Sequence, residues 1–244
     1  MRNPNLDEQK YADVDRDYIA PGQIGDSGMG ITLLNAVGEG TGPSQRVGRR
    51  VTMKTLQMIG AWGRNPNADA DDIFPEHMVR CAILYDRQAN GVYPSFEDIY
   101  QSQDTDGNIT STAWSLKNLN NSDRFIFIKE WEFFVPQLIP GDDEYYWDQT
   151  KAAASGDIWS GGSYGFGVAP NGPGLSNSTV LKIFLPINLE TVYQGANADL
   201  GAIKTGALYF ITFATSPAAG VAPLPQDPLP ERLTMTWRLK YSDK

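Results

Sequence analysis

The chain has 244 residues, 41% hydrophobic and 20% charged, a composition typical of a globular protein whose core needs no disulfide or metal to hold it. A formal net charge of −9 excludes a generally basic nucleic-acid binder, so any contact with a polyanion has to be local. The single cysteine, Cys81, excludes an intrachain disulfide and reads as a small buried hydrophobe. No signal peptide is visible and no apolar run approaches the ~20 residues of a membrane span, so membrane insertion is not expected.

Residues 1–43 carry few strand signals. Acidic side chains outnumber basic ones there and glycines recur, so the stretch reads as an N-terminal arm, extended or loosely looped, with one apolar patch at Ile31 to Leu34. Gln45 to Trp62 opens with Arg46, Arg49 and Arg50, with Lys54 close behind, and continues as a long β-branched and apolar run. Val51 and Met53 fall on one face and Leu56 and Met58 on the other, which predicts a bulge or a strand that changes phase. A basic start to such a strand fits a surface that meets a polyanion; it equally fits a solvated edge strand protected by charge.

Met78 to Tyr85 reads as a central strand. A turn-rich link with Asn90-Gly91 follows, then a short strand or single helical turn over Ser95 to Gln101. Arg124 to Val135 is an aromatic strand, with Phe125, Phe127, Trp131, Phe133 and Val135 on one face and Glu130 and Glu132 on the other. Gly156 to Gly174 is a glycine-rich loop. Thr179 to Leu189 alternates well, with Leu181, Ile183, Leu185, Ile187 and Leu189 on one side and Lys182 and Asn188 opposite. Ala207 to Thr215 is apolar on both faces, and Leu233 to Tyr241 closes the chain in strict period two with Leu233, Met235, Trp237, Leu239 and Tyr241 facing inward. Strands separated by long loops suit a Greek-key sandwich or jelly roll better than a meander.

Few motifs carry chemistry. Gly161-Gly162-Ser163-Tyr164-Gly165 matches a nucleophile elbow in letters, but glycine and proline follow where a helix is needed, and the one histidine, His77, precedes the serine. His77 and Cys81 do not complete a zinc site. Asp104 to Asn108 resembles the middle of a calcium loop, yet Ala113 stands where its terminal glutamate belongs. Glu130 and Glu132 are the remaining carboxylate pair. They read either as solvated side chains or as the cleft of a carbohydrate-binding or glycoside-hydrolysing β-sandwich.

Four blocks, in order, resemble the coat proteins of geminiviruses and related circular, Rep-encoding single-stranded DNA viruses. They are Arg46 to Arg50 with Val51 to Leu56; Ile83-Leu84-Tyr85-Asp86-Arg87-Gln88 with Asn90-Gly91 and Pro94; Leu116 to Asn121 with Asp123-Arg124-Phe125; and Gly206 to Thr215 with Leu233 to Tyr241. The resemblance covers roughly Thr41 to Lys244. It implies an all-β fold, a single eight-stranded jelly-roll β-sandwich with long loops (44–244) behind an N-terminal arm (1–43). It implies a viral capsid protein that self-assembles into a small icosahedral shell around circular single-stranded DNA. Its partners would be further copies of itself and single-stranded DNA bound without sequence preference, with Arg46, Arg49, Arg50 and Lys54 as the phosphate contacts. No catalytic residue, metal or cofactor is expected, and the location is the virion. The basic arm and nuclear-import signal of such proteins, and the geminivirus Cys/His cluster, are not seen in this chain.

Overall fold

A computed structural model describes residues 9–19, 30–64, 77–101, 115–135, 167–168, 179–215 and 231–243. In chain order the strands are β1 (Gln9–Ile19), β2 (Ile31–Leu33), β3 (Arg50–Arg64), β4 (His77–Asp86), β5 (Tyr100–Gln101), β6 (Leu116–Lys117), β7 (Phe125–Val135), β8 (Gly167–Val168), β9 (Thr179–Tyr193), β10 (Ile203–Thr205), β11 (Ala207–Thr215) and β12 (Glu231–Asp243). The α-helix among the described residues is the single turn α1 (Phe96–Ile99), so the chain is all-β. One sheet has the order β1-β12-β3-β9-β10, with β8 also on β9; the other has the order β2-β11-β4-β7; β5 and β6 form a small ribbon. The pairings between these strands are antiparallel.

The arm expected over residues 1–43 instead supplies strands to both sheets: β1 lies along β12 and β2 along β11. The inward positions of β1 include Lys10 and Ala12, which hide its period, and Asp13 and Asp15 face solvent. Lys10 is buried because Asp243 pairs with its ammonium at 2.9 Å and Gln45 O accepts from it at 3.1 Å. β3, β4, β7, β9, β11 and β12 form where the sequence predicts strands, whereas β6, β8 and β10 were not expected, β8 falling within the stretch read as a glycine-rich loop. The alternatives at Ser95 to Gln101 both occur, α1 running directly into β5.

The phase change in β3 is present. Met53 and Leu56 of β3 lie opposite Tyr241 and Leu239 of β12 and opposite Leu189 and Leu185 of β9, so Lys54 sits in a bulge. The bulge turns Val51, Met53, Leu56 and Met58 all inward. A second irregularity, in β7 opposite Ile83 and Leu84, separates residues expected on one face. Trp131 turns into the core against Phe210, whereas Phe127 packs on Tyr100 beyond the sheet.

The two sheets enclose one core, and they differ on their outer faces. Arg80, Ala82, Leu84, Tyr209, Ile211 and Phe213 are covered by the segment around α1, where Phe96 and Tyr100 pack on Phe213 and Tyr93 on Tyr209. That cover is fastened by Arg124, which grips buried Asp86 through two bonds of 3.0 and 2.9 Å. The outer face of the β1-β12-β3-β9 sheet carries a row of exposed positions, among them Gln57, Ile59, Lys182, Phe184, Arg238 and Lys240.

The sheets are joined at Asn35. Its Nδ2 donates to Thr191 Oγ1 at 2.9 Å and Gly206 O at 2.8 Å, and its Oδ1 accepts from Leu208 N at 2.9 Å. Gly206 lies between β10 and β11, where the chain passes from one sheet to the other, with φ +82; a Cβ there would stand 2.3 Å from Glu190 O. Only glycine meets both demands.

Trp237 closes the core from β12, 2% exposed, with its indole N–H donating to Leu34 O at 3.0 Å. Trp237→Ala is expected to cost about 3–5 kcal/mol, the range for emptying a large core site. The urea midpoint of the variant checks this, and a wild-type midpoint would contradict it.

Candidate nucleic-acid interface

The basic motif begins in a loop whose shape its own first arginine sets. Residues 38–46 fold back on themselves: Arg46 N donates to Gly38 O at 3.0 Å and Gly40 N to Arg46 O at 2.9 Å. The Arg46 guanidinium then fills the loop from inside. It donates to Val37 O at 3.1 Å, to Gly48 O at 2.9 Å and to Gly195 O, and pairs with Glu39 at 3.4 Å. It also lies 4.2 Å over the Tyr193 ring, a cation–π contact in a desolvated setting. Arg46 is 0% exposed.

This corrects the expected contact set. Arg46 does not stand with Arg49, Arg50 and Lys54 on one surface; it is an internal tie whose charge meets backbone carbonyls and an aromatic face. A planar fork of donors can satisfy several carbonyls at once, which an ammonium cannot. Asp243 fastens the loop from outside, accepting from Val47 N at 3.0 Å while it pairs with Lys10.

Past that tie the chain emerges. Arg49 and Arg50 are exposed, and Lys54, at the bulge, is half-buried. Arg50 faces Glu190 at 3.4 Å with both side chains open to solvent, a geometry that salt screens and that leaves the guanidinium free to exchange partners. These side chains continue onto the outer face of the β1-β12-β3-β9 sheet. There the pairing register adds cations that are remote in sequence: Lys240 lies opposite Thr55, Arg238 opposite Gln57, and Lys182 opposite Ile59. Lys182, Arg238 and Lys240 occupy exposed, outward positions of their strands, and it is the strand order that brings them beside the basic motif.

The carboxylate pair behaves differently from a catalytic pair. Glu130 accepts from Tyr100 Oη at 3.1 Å, pairs with Arg80 at 2.6 Å and with Lys117 at 2.7 Å, and Glu132 reaches Arg80 Nε at 3.2 Å. Burial of Glu130 opposes its charge, but the hydrogen bond from Lys117 and the charge of Arg80 prevail and hold its carboxyl below the ordinary range. A general acid for glycoside cleavage needs the opposite shift. Arg80 meanwhile donates to Ser115 O at 2.6 Å and lies 4.8 Å over Tyr100, so the cluster anchors the cover on the sheet.

Burial pushes the Cys81 thiol up to about 12, and Thr212 Oγ1 lies 3.7 Å from its sulfur, as for an inert core residue. Among the described residues no group of His, Cys, Asp and Glu is placed to hold a metal, and no helix is long and apolar enough to cross a membrane. The Gly161 to Gly165 and Asp104 to Asn108 motifs lie outside the described residues. No family model matches the sequence, and no curated protein is significantly similar to it.

Two measurements check these assignments. Arg46→Gln is expected to destabilise the chain by about 3 kcal/mol or more, because buried carbonyls lose charged donors, whereas Arg49→Gln and Arg50→Gln should stay within about 0.5 kcal/mol of the parent; urea midpoints decide. Because the Glu130 carboxyl sits below its unfolded value of about 4.3, its stabilising contribution is full above that pH. It is lost as pH falls through the lower folded value. Urea midpoints from pH 6 down to about pH 3 should therefore fall less steeply in Glu130→Gln than in the parent.

Proposed function

We propose that this chain is a viral capsid protein, a jelly-roll subunit that self-assembles into a small icosahedral shell around circular single-stranded DNA. The observation that carries the reading is the interleaving of strands. With the separate β5-β6 ribbon and the additions to β9, β8 and β10, set aside, the first, eighth, third and sixth strands make one sheet and the second, seventh, fourth and fifth make the other. Apart from β4 and β7, which pair within one sheet, successive strands cross between the sheets in the manner of two wound Greek keys, which supports an eight-stranded jelly roll of the kind used by capsids, lectins and cupins.

Among those uses, fold alone does not choose. The blocks that resemble geminivirus-like coat proteins favour the shell, and their residues carry architectural work that such a fold requires. Arg46 ties the loop before β3, while Asp86 and Arg124, from two different blocks, join as the bidentate pair that fastens the cover. Large exposed apolar side chains support self-association: Leu116 and Leu119, 77% and 79% exposed, crown the cover. Subunits in a shell bury on the order of 2,000 Å² or more. Arg49, Arg50 and Lys54 are the phosphate contacts of this reading, with Arg46 transferred to the frame. The glycan-directed alternative draws no support from Glu130, which is held ionised within ion pairs.

Negative-stain electron microscopy and light scattering on the purified full-length protein test the reading. Closed particles are expected. A mass of 26.9 kDa, that of one chain, at every pH and salt concentration would refute it.

A further inference from the structure

The outer face of the β1-β12-β3-β9 sheet has a charge balance that the acidic total conceals. Arg238 is held by Asp13 through bonds of 2.7 and 2.6 Å, and Arg50 faces Glu190. Lys54, Lys182 and Lys240 make no ion pair among the described residues. In their midst Phe184 is 66% exposed, directly opposite Gln57. Lys182 stands about 7 Å from it along the same strand, and Lys240 about 12 Å away across the sheet, by strand rise and spacing.

We propose that this face is a platform for single-stranded nucleic acid, on which Phe184 stacks an unpaired base while Lys54, Lys182 and Lys240 take phosphates. An exposed ring among lysines is the combination by which proteins hold single strands without reading sequence, since every base offers a π-face. A second copy of this chain is the rival occupant. The centre of a protein–protein interface is depleted of charge, and of lysine in particular, which this face is not. A duplex would meet the lysines but offer no base to the ring. The inference rests on the capsid reading only for the source of the strand, a packaged genome.

The test titrates full-length protein into a fluorescein-labelled oligo-dT strand and into a duplex of equal length. Fluorescence anisotropy is followed over a salt series, with light scattering on the same samples. Phe184→Ala should bind oligo-dT about 5- to 150-fold more weakly, the loss of one stacked base, with the log–log salt slope unchanged. Lys182→Gln/Lys240→Gln should make the slope shallower by about 1.4. Both substitutions lie on exposed positions and leave the core intact. Wild-type affinity and slope in both variants, or no binding of oligo-dT by the parent, would overturn the proposal. So would assembly lost in Phe184→Ala at unchanged oligo-dT affinity, which would make the face a subunit contact, and so would a duplex bound as tightly as the single strand. The capsid reading fails on the absence of particles and this one on strand binding, so the two failures are distinct.

Discussion

The buried carboxamide of Asn35 is the interaction on which the two-sheet arrangement depends. A sandwich is held by apolar contact between its inner faces, which is strong but indifferent to how far one sheet slides over the other. Asn35 removes that freedom. It binds Thr191 on β9 and Gly206 and Leu208 around the start of β11, while its own carbonyl accepts from the Tyr193 hydroxyl at 2.7 Å. Tyr85 makes a second cross-link, donating from β4 to Glu190 O at 2.6 Å. A fully satisfied polar network in a low dielectric sets register as well as contributing energy.

The same principle explains Arg46. A buried guanidinium is costly unless every donor direction is met. Here two carbonyls come from nearby in the chain, Val37 and Gly48, and a third from the distant Gly195, and Tyr193 supplies the π-face beneath. Tyr193 thus serves both the Asn35 network and the arginine, coupling the loop before β3 to the junction of the sheets. The segment that presents Arg49 and Arg50 is held by the core, so those side chains extend from a fixed base. A rigid base reduces the entropy lost when a flexible ligand is bound.

Strand existence was legible wherever one face is apolar: β4, β7, β9, β11 and β12 appear at their expected places, and even the bulge in β3 was written in the phase of Val51, Met53, Leu56 and Met58. What stayed hidden was set by partners distant in sequence. β1 was illegible because Lys10, an inward residue, is satisfied by Asp243, more than two hundred positions later. The aromatic face of β7 was misassigned because one irregularity exchanges the sides of Phe127 and Trp131. The cationic motif was recognised as a group, yet its most buried member is the one a charge count would place nearest a phosphate. Burial of a charge is decided by whether carbonyls converge on it, and local sequence does not carry that information.

An acidic chain can still offer a surface to a polyanion because electrostatics at physiological salt is local. With a Debye length of about 8 Å, a phosphate on the outer sheet face responds to its neighbours and little to the total. On that face the carboxylates nearest the arginines are already engaged, Asp13 by Arg238 and Glu190 by Arg50, which neutralises them without consuming the lysines. In the proposed platform Arg238 would then act as an internal counter-ion, and the lysines, with Arg49 and the exchangeable Arg50, would be the groups that meet phosphate. Such a division also limits how tightly a strand is held. A few contacts per subunit, each worth a fraction of a counterion, give weak binding to one copy. A strand that crosses many copies gains its affinity from repetition, because each further contact is made at the high effective concentration set by the last. On the proposed reading, an acidic subunit with a small basic face would bind a strand weakly as a single copy and retain it once arrayed.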